Sequence, residues 1–517
     1  MSAGIGERSA DRRYHVIIVG AGSAGCVLAA RLSEDPHRTV LLLEAGPDYR
    51  SDAELPPEIR SGFNPAYSHD WGYASEAGAV GRPIPQARAK LVGGCSATNG
   101  TIALRGSPSD YDEWAALGNA DWSFADVLPF FRQLENDCDF DNEWHGRAGP
   151  LPIRRHPDDE LVPEQSAFLA ACAALGYPQV PDHNAPGAMG AGRLPKNAVG
   201  GVRQSTALTY LGAARTRSNL TVRGGVLVDS VVFEGKRAAG IRLAQANETI
   251  AADRLILAAG AFGSPAILMR SGIGPANELQ ALGIEVLVNL PGVGRRLADH
   301  PRFGLRFVAR GPAPSEERPG CQTVLTLKSS QDCPGHDLHI FPWTIPAGAA
   351  ASGGPNVMTI HAGLMKPRSL GWLRLRSADP GAAPMINPGY LTDPQDMPRM
   401  IHALRVARRL ARTAPLSDLL AEELSPGPLT GDGEDELAAA VRAEVGTYFH
   451  PAGTCSMGPQ TDALSVVDTR AKVRGVEGLW VVDASIIPAI PAANTNLPTI
   501  MLAERCAAWF TRGDLHG

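Results

Sequence analysis

The sequence predicts an α/β protein in which a Rossmann-like domain is joined to a second, α+β domain built on an antiparallel sheet. Three observations lead there. Tyr14 to Glu44 reads as strand, glycine turn, helix and strand. Arg254 to Gly260 returns as a buried strand that ends at another glycine turn. Between Phe303 and Tyr448, four segments alternate apolar and polar residues with the period of antiparallel strands. A chain of 517 residues is too long for one ordinary domain and leaves ample material for two cores.

Taken in order, the apolar run Val16 to Val19 is a strand, and Gly20-Ala21-Gly22-Ser23-Ala24-Gly25 turns it into a small-residue helix. In a G-x-G-x-x-G turn the first glycine permits the tight bend. The second lets a pyrophosphate approach the backbone, and the third lets helix pack on strand. Val40 to Leu43 is the second strand, and it ends in Glu44, about 19 residues beyond Gly25. An acid is expected there, on the ribose hydroxyls of a dinucleotide. The helix N-terminus offers its unpaired N–H groups to the pyrophosphate. Up to this point NAD and FAD are both open, while Glu44 would repel the 2′-phosphate of NADP.

A long irregular stretch rich in Pro, Gly and Asp follows to Tyr73, of the length and kind that covers a ligand. Lys90 to Gly106 is glycine-rich and then apolar, suited to backbone passing close to a bound group. Asp110 to Glu135 has helical spacing with aromatic packing residues, and Pro163 to Leu175 is an amphipathic helix. Leu220 to Val232 reads as a strand pair with Ala238 to Ile250 as its hairpin partner, and a short helix lies within Gly260 to Gly274. The segments TVLTLKSS, DLHIFPW, NVMTIHAGLM and LGWLRLRS are read as strands of one antiparallel sheet. Helices are expected near Pro394 to Arg412, Glu434 to Val445 and from Leu497 onward. The domain assignment alternates. Residues 12–152, 215–305 and 448–517 form the nucleotide-binding part, and residues 153–214 and 306–447 the substrate part.

Composition narrows the function. The net charge of −6 gives no basic footprint for nucleic acid. No run reaches the length of a membrane span. Met1 to Arg13 is polar, with residues 1–11 a loose tail and no apolar signal-peptide core. The eight cysteines lack CxxC spacing and read as buried fillers of a reduced, cytoplasmic protein, with no metal site expected. The Ala/Gly-rich Pro346 to Pro355 is the one low-complexity segment.

These blocks together resemble the glucose-methanol-choline (GMC) family of FAD-dependent oxidoreductases. Gly260 to Gly274 carries one family signature. Ala89 to Gly94 with Asn99 carries another, departing from it at Cys95 and Thr98. Gly201 to Leu211, Leu290 to Gly294, Asp299-His300 and His450 to Gly458 are further family blocks, and Arg296 stands where Asn is common. The resemblance implies FAD as cofactor. Gly20, Gly22, Ser23, Gly25, Glu44 and Ala45 would hold its ADP half, and Val92, Gly93, Gly94, Asn99 and Gly100 the flavin side. Val228 would back the adenine, with Asp483, Ala484, Asn496 and Thr499 closing over the pyrophosphate and ring. Thr98, a poor nucleophile, stands where some relatives attach flavin through histidine, so the FAD is expected to be non-covalent.

The resemblance also implies the chemistry, oxidation of an alcohol to the aldehyde by hydride transfer to flavin N5. It places the catalytic base at His450 and its partner at Asn494. Histidine suits the proton step because its ordinary pKa is near neutral, whereas Asn494 can only hydrogen-bond and orient. His300 is read as a loop brace, and His336, His339 and His361 as strand residues without a role in catalysis. A neutral primary alcohol is the expected substrate, with oxygen, a quinone or another carrier taking the electrons. The alternatives are a choline dehydrogenase-like activity, a hydroxynitrile lyase, a fatty-acid photodecarboxylase using Cys95, or a flavin carrier without turnover.

Overall fold

The strand Tyr14–Val19 (β1) enters a parallel sheet because all but one of its residues are buried, and a strand buried on both faces must be covered on both. The computed structural model describes residues 13–245, 248–311, 317–344 and 356–513. The tail expected at residues 1–11 and the Ala/Gly-rich Pro346 to Pro355 lie outside the described residues. After β1 comes the helix Ser23–Leu32 (α1), then Val40–Leu43 (β2), Leu220–Arg223 (β3), Val228–Glu234 (β4), Arg237–Leu243 (β5) and Thr249–Leu257 (β6). With Leu479–Val481 they form a seven-stranded sheet of order β4-β5-β6-β1-β2-β3, the 479–481 strand pairing β6. The pairs β6-β1, β1-β2 and β2-β3 are parallel, whereas β4, β5 and the start of β6 form an antiparallel meander. The helix Gly260–Arg270 (α2) follows β6 directly.

Gly25 shows why the glycine turn has its composition. A Cβ there would lie 1.9 Å from the Gly20 carbonyl oxygen, so any side chain would push α1 off β1. Gly20 itself has φ of +98°, where only glycine is unstrained.

The second sheet has eight strands and carries the other core. Its long members are Pro301–Ala309 (β7), Thr323–Leu327 (β8), Leu338–Thr344 (β9) and Val357–Leu364 (β10). They run in the order β7-β10-β9-β8, with short strands at both ends. The helices Pro163–Ala174, Asp396–Ala411 (α3) and Glu434–Glu444 bury their apolar faces in the same cluster. The structure differs from the sequence reading in four places. Asp110 to Glu135 is two helices, Pro108–Ala116 and Phe124–Leu134, because Gly118 at φ +95° interrupts the turn pattern. The LGWLRLRS strand, Gly371–Arg374, leaves the large sheet and pairs instead with Arg295–Leu297 and Met385–Asn387, its Leu373 packing into the first core. The strand at the 305/306 boundary begins at Pro301 and belongs wholly to the second sheet. The segment Ala207–Ala214 before 214 packs its buried residues into the first core.

The cysteines are free, but not all are buried fillers: Cys138 is exposed, and Cys95 and Cys333 are half-buried. Arg296 adopts φ of +56° and pairs with Asp462 at 2.6 and 3.0 Å. A buried ion network lies around His145. Its ring is 3.1 Å from Glu135 and 3.0 Å from Asp137, and on the other side 2.8 Å from Asp182, with Arg105 and Arg155 completing the set. Burial alone would lower the His145 pKa, but its bonds to Asp137, Asp182 and Glu135 outweigh that and raise it to about 10. Among the described residues no helix is long and apolar enough to cross a membrane.

Candidate active site

One elongated cavity of about 750 Å³ joins the glycine turn after β1 to His450, and both sheets contribute to its walls. Ligand sites fall in this size range. At one end the cavity is lined by Gly20, Gly22, Ser23, Glu44, Ala45 and Val228. Glu44 accepts from the Ala21 N–H at 3.0 Å and from the Gly46 N–H at 2.9 Å, so it braces the glycine loop as well as facing the cavity. Burial pushes its carboxyl up to about 7, opposed by those backbone N–H groups. Gly94, Asn99, Gly100, Asp483, Ala484, Asn496 and Thr499 line the middle. A Cβ on Gly94 would lie 2.6 Å from the Gly22 Cα, so two glycine backbones meet where a long, flat group must pass. Asp483 accepts from the Gly260 N–H at 2.8 Å and from the Ser264 hydroxyl at 2.5 Å, fixing the start of α2. The helix Asn496–Arg512 (α4) begins beside α1, where the Ser23 hydroxyl donates to Asn496 Oδ1 at 2.8 Å.

Three of the expected cofactor residues do not reach the cavity wall. Gly25 is spent on the α1–β1 contact. Val92 and Gly93 stand behind the wall, their N–H groups donating to the Pro47 and Ala21 carbonyls at 3.0 and 2.7 Å. The remaining residues fit a dinucleotide: small side chains, two closely opposed glycines, an acid at the end of β2 and the N-termini of α1 and α4 around one groove.

At the far end, His450 Nε2 and Asn494 Nδ2 are 3.0 Å apart, and both residues line the cavity. Behind them, His450 Nδ1 is 2.8 Å from His300 Nδ1. The Asp299 carboxylate accepts from the His450 backbone N–H at 2.8 Å and from the Thr447 hydroxyl at 2.6 Å, and Tyr390 also donates to it. The Asp-His pair that precedes β7 thus holds both backbone and ring of His450. The Tyr448 ring stacks on the His450 ring with centroids 4.6 Å apart.

These bonds assign the protons. The Asn494 amide nitrogen can only donate, so His450 Nε2 accepts and Nδ1 carries the hydrogen. That hydrogen is donated to His300 Nδ1, leaving the His300 proton on the buried Nε2. Burial first, with the positive guanidiniums of Arg88 and Arg302 nearby, holds the His450 pKa well below the usual histidine value. His300 is kept at about 3 by burial. His450 is therefore a neutral ring at the cavity wall whose Nε2 lone pair accepts from the Asn494 amide.

Several lining residues have no local sequence signal. Arg88, Arg302, Tyr448 and Trp343 come to the His450 end from four separate segments. His361, expected to be a plain strand residue, also reaches the cavity, whereas His339 is buried behind it. Cys95 and Thr98 line the middle.

The comparisons agree with this geometry. The chain matches the GMC oxidoreductase model in two parts, over residues 14–302 and residues 367–503. It is 37% identical to an uncharacterized GMC-type oxidoreductase of Rhodococcus erythropolis, covering 95% of this chain and 97% of that one. It is 36% identical to oxygen-dependent choline dehydrogenase 1 of Chromohalobacter salexigens over 96% of this chain and 94% of that one. Its structure resembles that of pyridoxine 4-oxidase from Mesorbium loti, with a TM-score of 0.89 and 32% identity over 97% of this chain and 99% of the other. A glycine-lined groove ending at a neutral histidine, on a chain similar along nearly its whole length to these enzymes, places the protein in the GMC oxidoreductase family, flavoproteins that bind FAD and act on CH–OH groups.

Proposed function

We propose that the protein oxidises a primary alcohol to its aldehyde, with His450 as the base that takes the hydroxyl proton. The observation that supports this most is the pairing of His450 Nε2 with the Asn494 amide, 3.0 Å apart, in the same cavity as the dinucleotide groove. FAD, held by Gly20, Gly22, Glu44, Gly94, Asp483 and Asn496, would supply the hydride acceptor. The alcohol replaces the His450–Asn494 contact: its oxygen accepts from the Asn494 amide, and its O–H donates to the Nε2 lone pair of His450 that this frees. His450 Nδ1–H stays on His300, so the imidazolium that forms is steadied from behind. Phe341, Trp343 and Tyr448 keep water from this end of the cavity. Thr98 offers no nucleophile for attaching the flavin, so the FAD is dissociable. Heat or acid precipitation should release it to the supernatant, and flavin that stays with the denatured chain would contradict this.

His450→Ala tests the central assignment. A positioned general base contributes about 10²- to 10⁴-fold. The variant should bind FAD, yet bleach the flavin band at least ~100-fold more slowly when an alcohol is added without oxygen. Bleaching at the wild-type rate would move the base elsewhere. Turnover with oxygen compared with turnover with a quinone identifies the electron acceptor.

A further inference from the structure

Arg302, the second residue of β7, projects into the His450 end of the cavity, and its guanidinium has no hydrogen-bond or ion-pair partner among the described residues. It lies over the Tyr448 and Phe449 rings, 5.8 and 5.6 Å from their centroids. Arg88 faces the same space, and its guanidinium donates to the Phe449 carbonyl at 2.8 Å and to its neighbour Ala87, without an ion pair to a carboxylate. Both guanidiniums are close enough to His450 to help hold its pKa down, after burial.

The acids of the cavity do not neutralise them. Of the three that line it, Glu44 and Asp483 are committed to backbone N–H groups at the dinucleotide end. Asp70 is exposed and accepts from the Arg88 backbone N–H at 2.7 Å. The third arginine of the lining, Arg270, is paired with Asp229 at 3.1 Å. The buried Asp299 carboxylate acts on both at a distance but is bonded to the His450 N–H, Thr447 and Tyr390, so Arg302 and Arg88 are two positive charges beside the base without an ion-pair partner. A half-buried guanidinium without a partner is costly to keep unless a ligand supplies one.

We infer that the alcohol oxidised here carries a carboxylate, which Arg302 binds with Arg88 beside it while the hydroxyl meets His450 and Asn494. The inference rests on the alcohol-oxidation reading above and narrows its substrate. A neutral alcohol leaves both charges unmatched. The trimethylammonium of choline is repelled by them, although Tyr448, Phe449 and Trp343 could otherwise serve it as aromatic walls. A planar guanidinium matches a carboxylate with two parallel hydrogen bonds.

The test begins with binding, which does not depend on turnover. FAD-loaded protein is titrated with benzoate and with benzamide, its neutral analogue, and followed by the flavin visible spectrum. Benzoate should bind at least ~10-fold more tightly, as expected for charge-assisted hydrogen bonds. Arg302→Gln should lose that preference, and Arg302→Lys should restore part of it. Equal binding of benzoate and benzamide overturns the inference. So does an Arg302→Gln variant that keeps the preference but shifts the flavin reduction potential, because the charge would then serve the cofactor. Relative kcat/KM for 4-(hydroxymethyl)benzoate, benzyl alcohol and choline should follow the order anionic, neutral, cationic. Equal or reversed order refutes the carboxylate and leaves alcohol oxidation intact. Tight benzoate binding with no alcohol turned over does the opposite: the anion site stands and the oxidation reading fails.

Discussion

Replacing His300 with leucine isolates the contact behind the proposed base. The change removes the acceptor 2.8 Å from His450 Nδ1 and keeps an apolar side chain in a fully buried position. His300 is held neutral, at about 3, so in the wild type it acts as a hydrogen-bond acceptor and not as a like charge. When His450 takes the alcohol proton, the bond to His300 becomes charge-assisted, and such bonds contribute about 1.5–3 kcal/mol. At 1.36 kcal/mol per pK unit, losing it lowers the His450 pKa by about 1–2 units. Fully expressed in the transition state, it slows the proton step by about 10- to 150-fold. His450 must be neutral to accept, so activity is present above its pKa and lost as pH falls through it. The wild-type acidic limb should lie below pH 6.5, the direction in which burial and its neighbours move this group. In His300→Leu that limb should move to lower pH while the plateau falls. His300→Gln, whose amide oxygen can accept, should recover part of the plateau. The measurement is anaerobic single-turnover bleaching of the flavin from pH 5 to 9 at saturating alcohol. A leucine variant with full FAD, a rate within about twofold of wild type and a superimposable pH profile would refute this account of His300.

Two further outcomes concern the scaffold. Gly25→Ala places a Cβ 1.9 Å from the Gly20 carbonyl, against rigid backbone, so α1 must move off β1. Overpacking of this kind costs about 1–3 kcal/mol, and both the thermal midpoint and FAD affinity should fall; an unchanged midpoint would show that α1 can slide freely. The His145 network makes alkaline stability depend on pH. With its folded pKa raised to about 10 from 6.5, its contribution is complete below pH 6.5 and is lost as pH rises through about 10. Thermal midpoints measured from pH 7 to 10.5 should decline in wild type, and His145→Gln should start lower and decline less. A parallel decline in both would assign the slope to other groups.

Tyr14 to Glu44 was legible because everything in it is local. The strand period, the glycine spacing and the acid at the end of β2 are written contiguously, and each follows from backbone geometry. The helices Pro163–Ala174, α3 and α4 were legible for the same reason. His450 and Asn494 stood out only through the family resemblance, since a histidine beside proline and glycine has no local mark of a base. What the sequence left open was decided by tertiary packing. Gly371–Arg374 alternates as well as any strand of the large sheet, yet it pairs with Arg295–Leu297, because its Leu373 is buried in the other core. Arg88 and Arg302 carry no pattern that marks a site, and His300, though part of a family block, meets His450 only across 150 residues of chain. The alternation of a strand records which face is buried, not which core buries it, and a cavity wall assembled from distant segments exists only once both cores have packed.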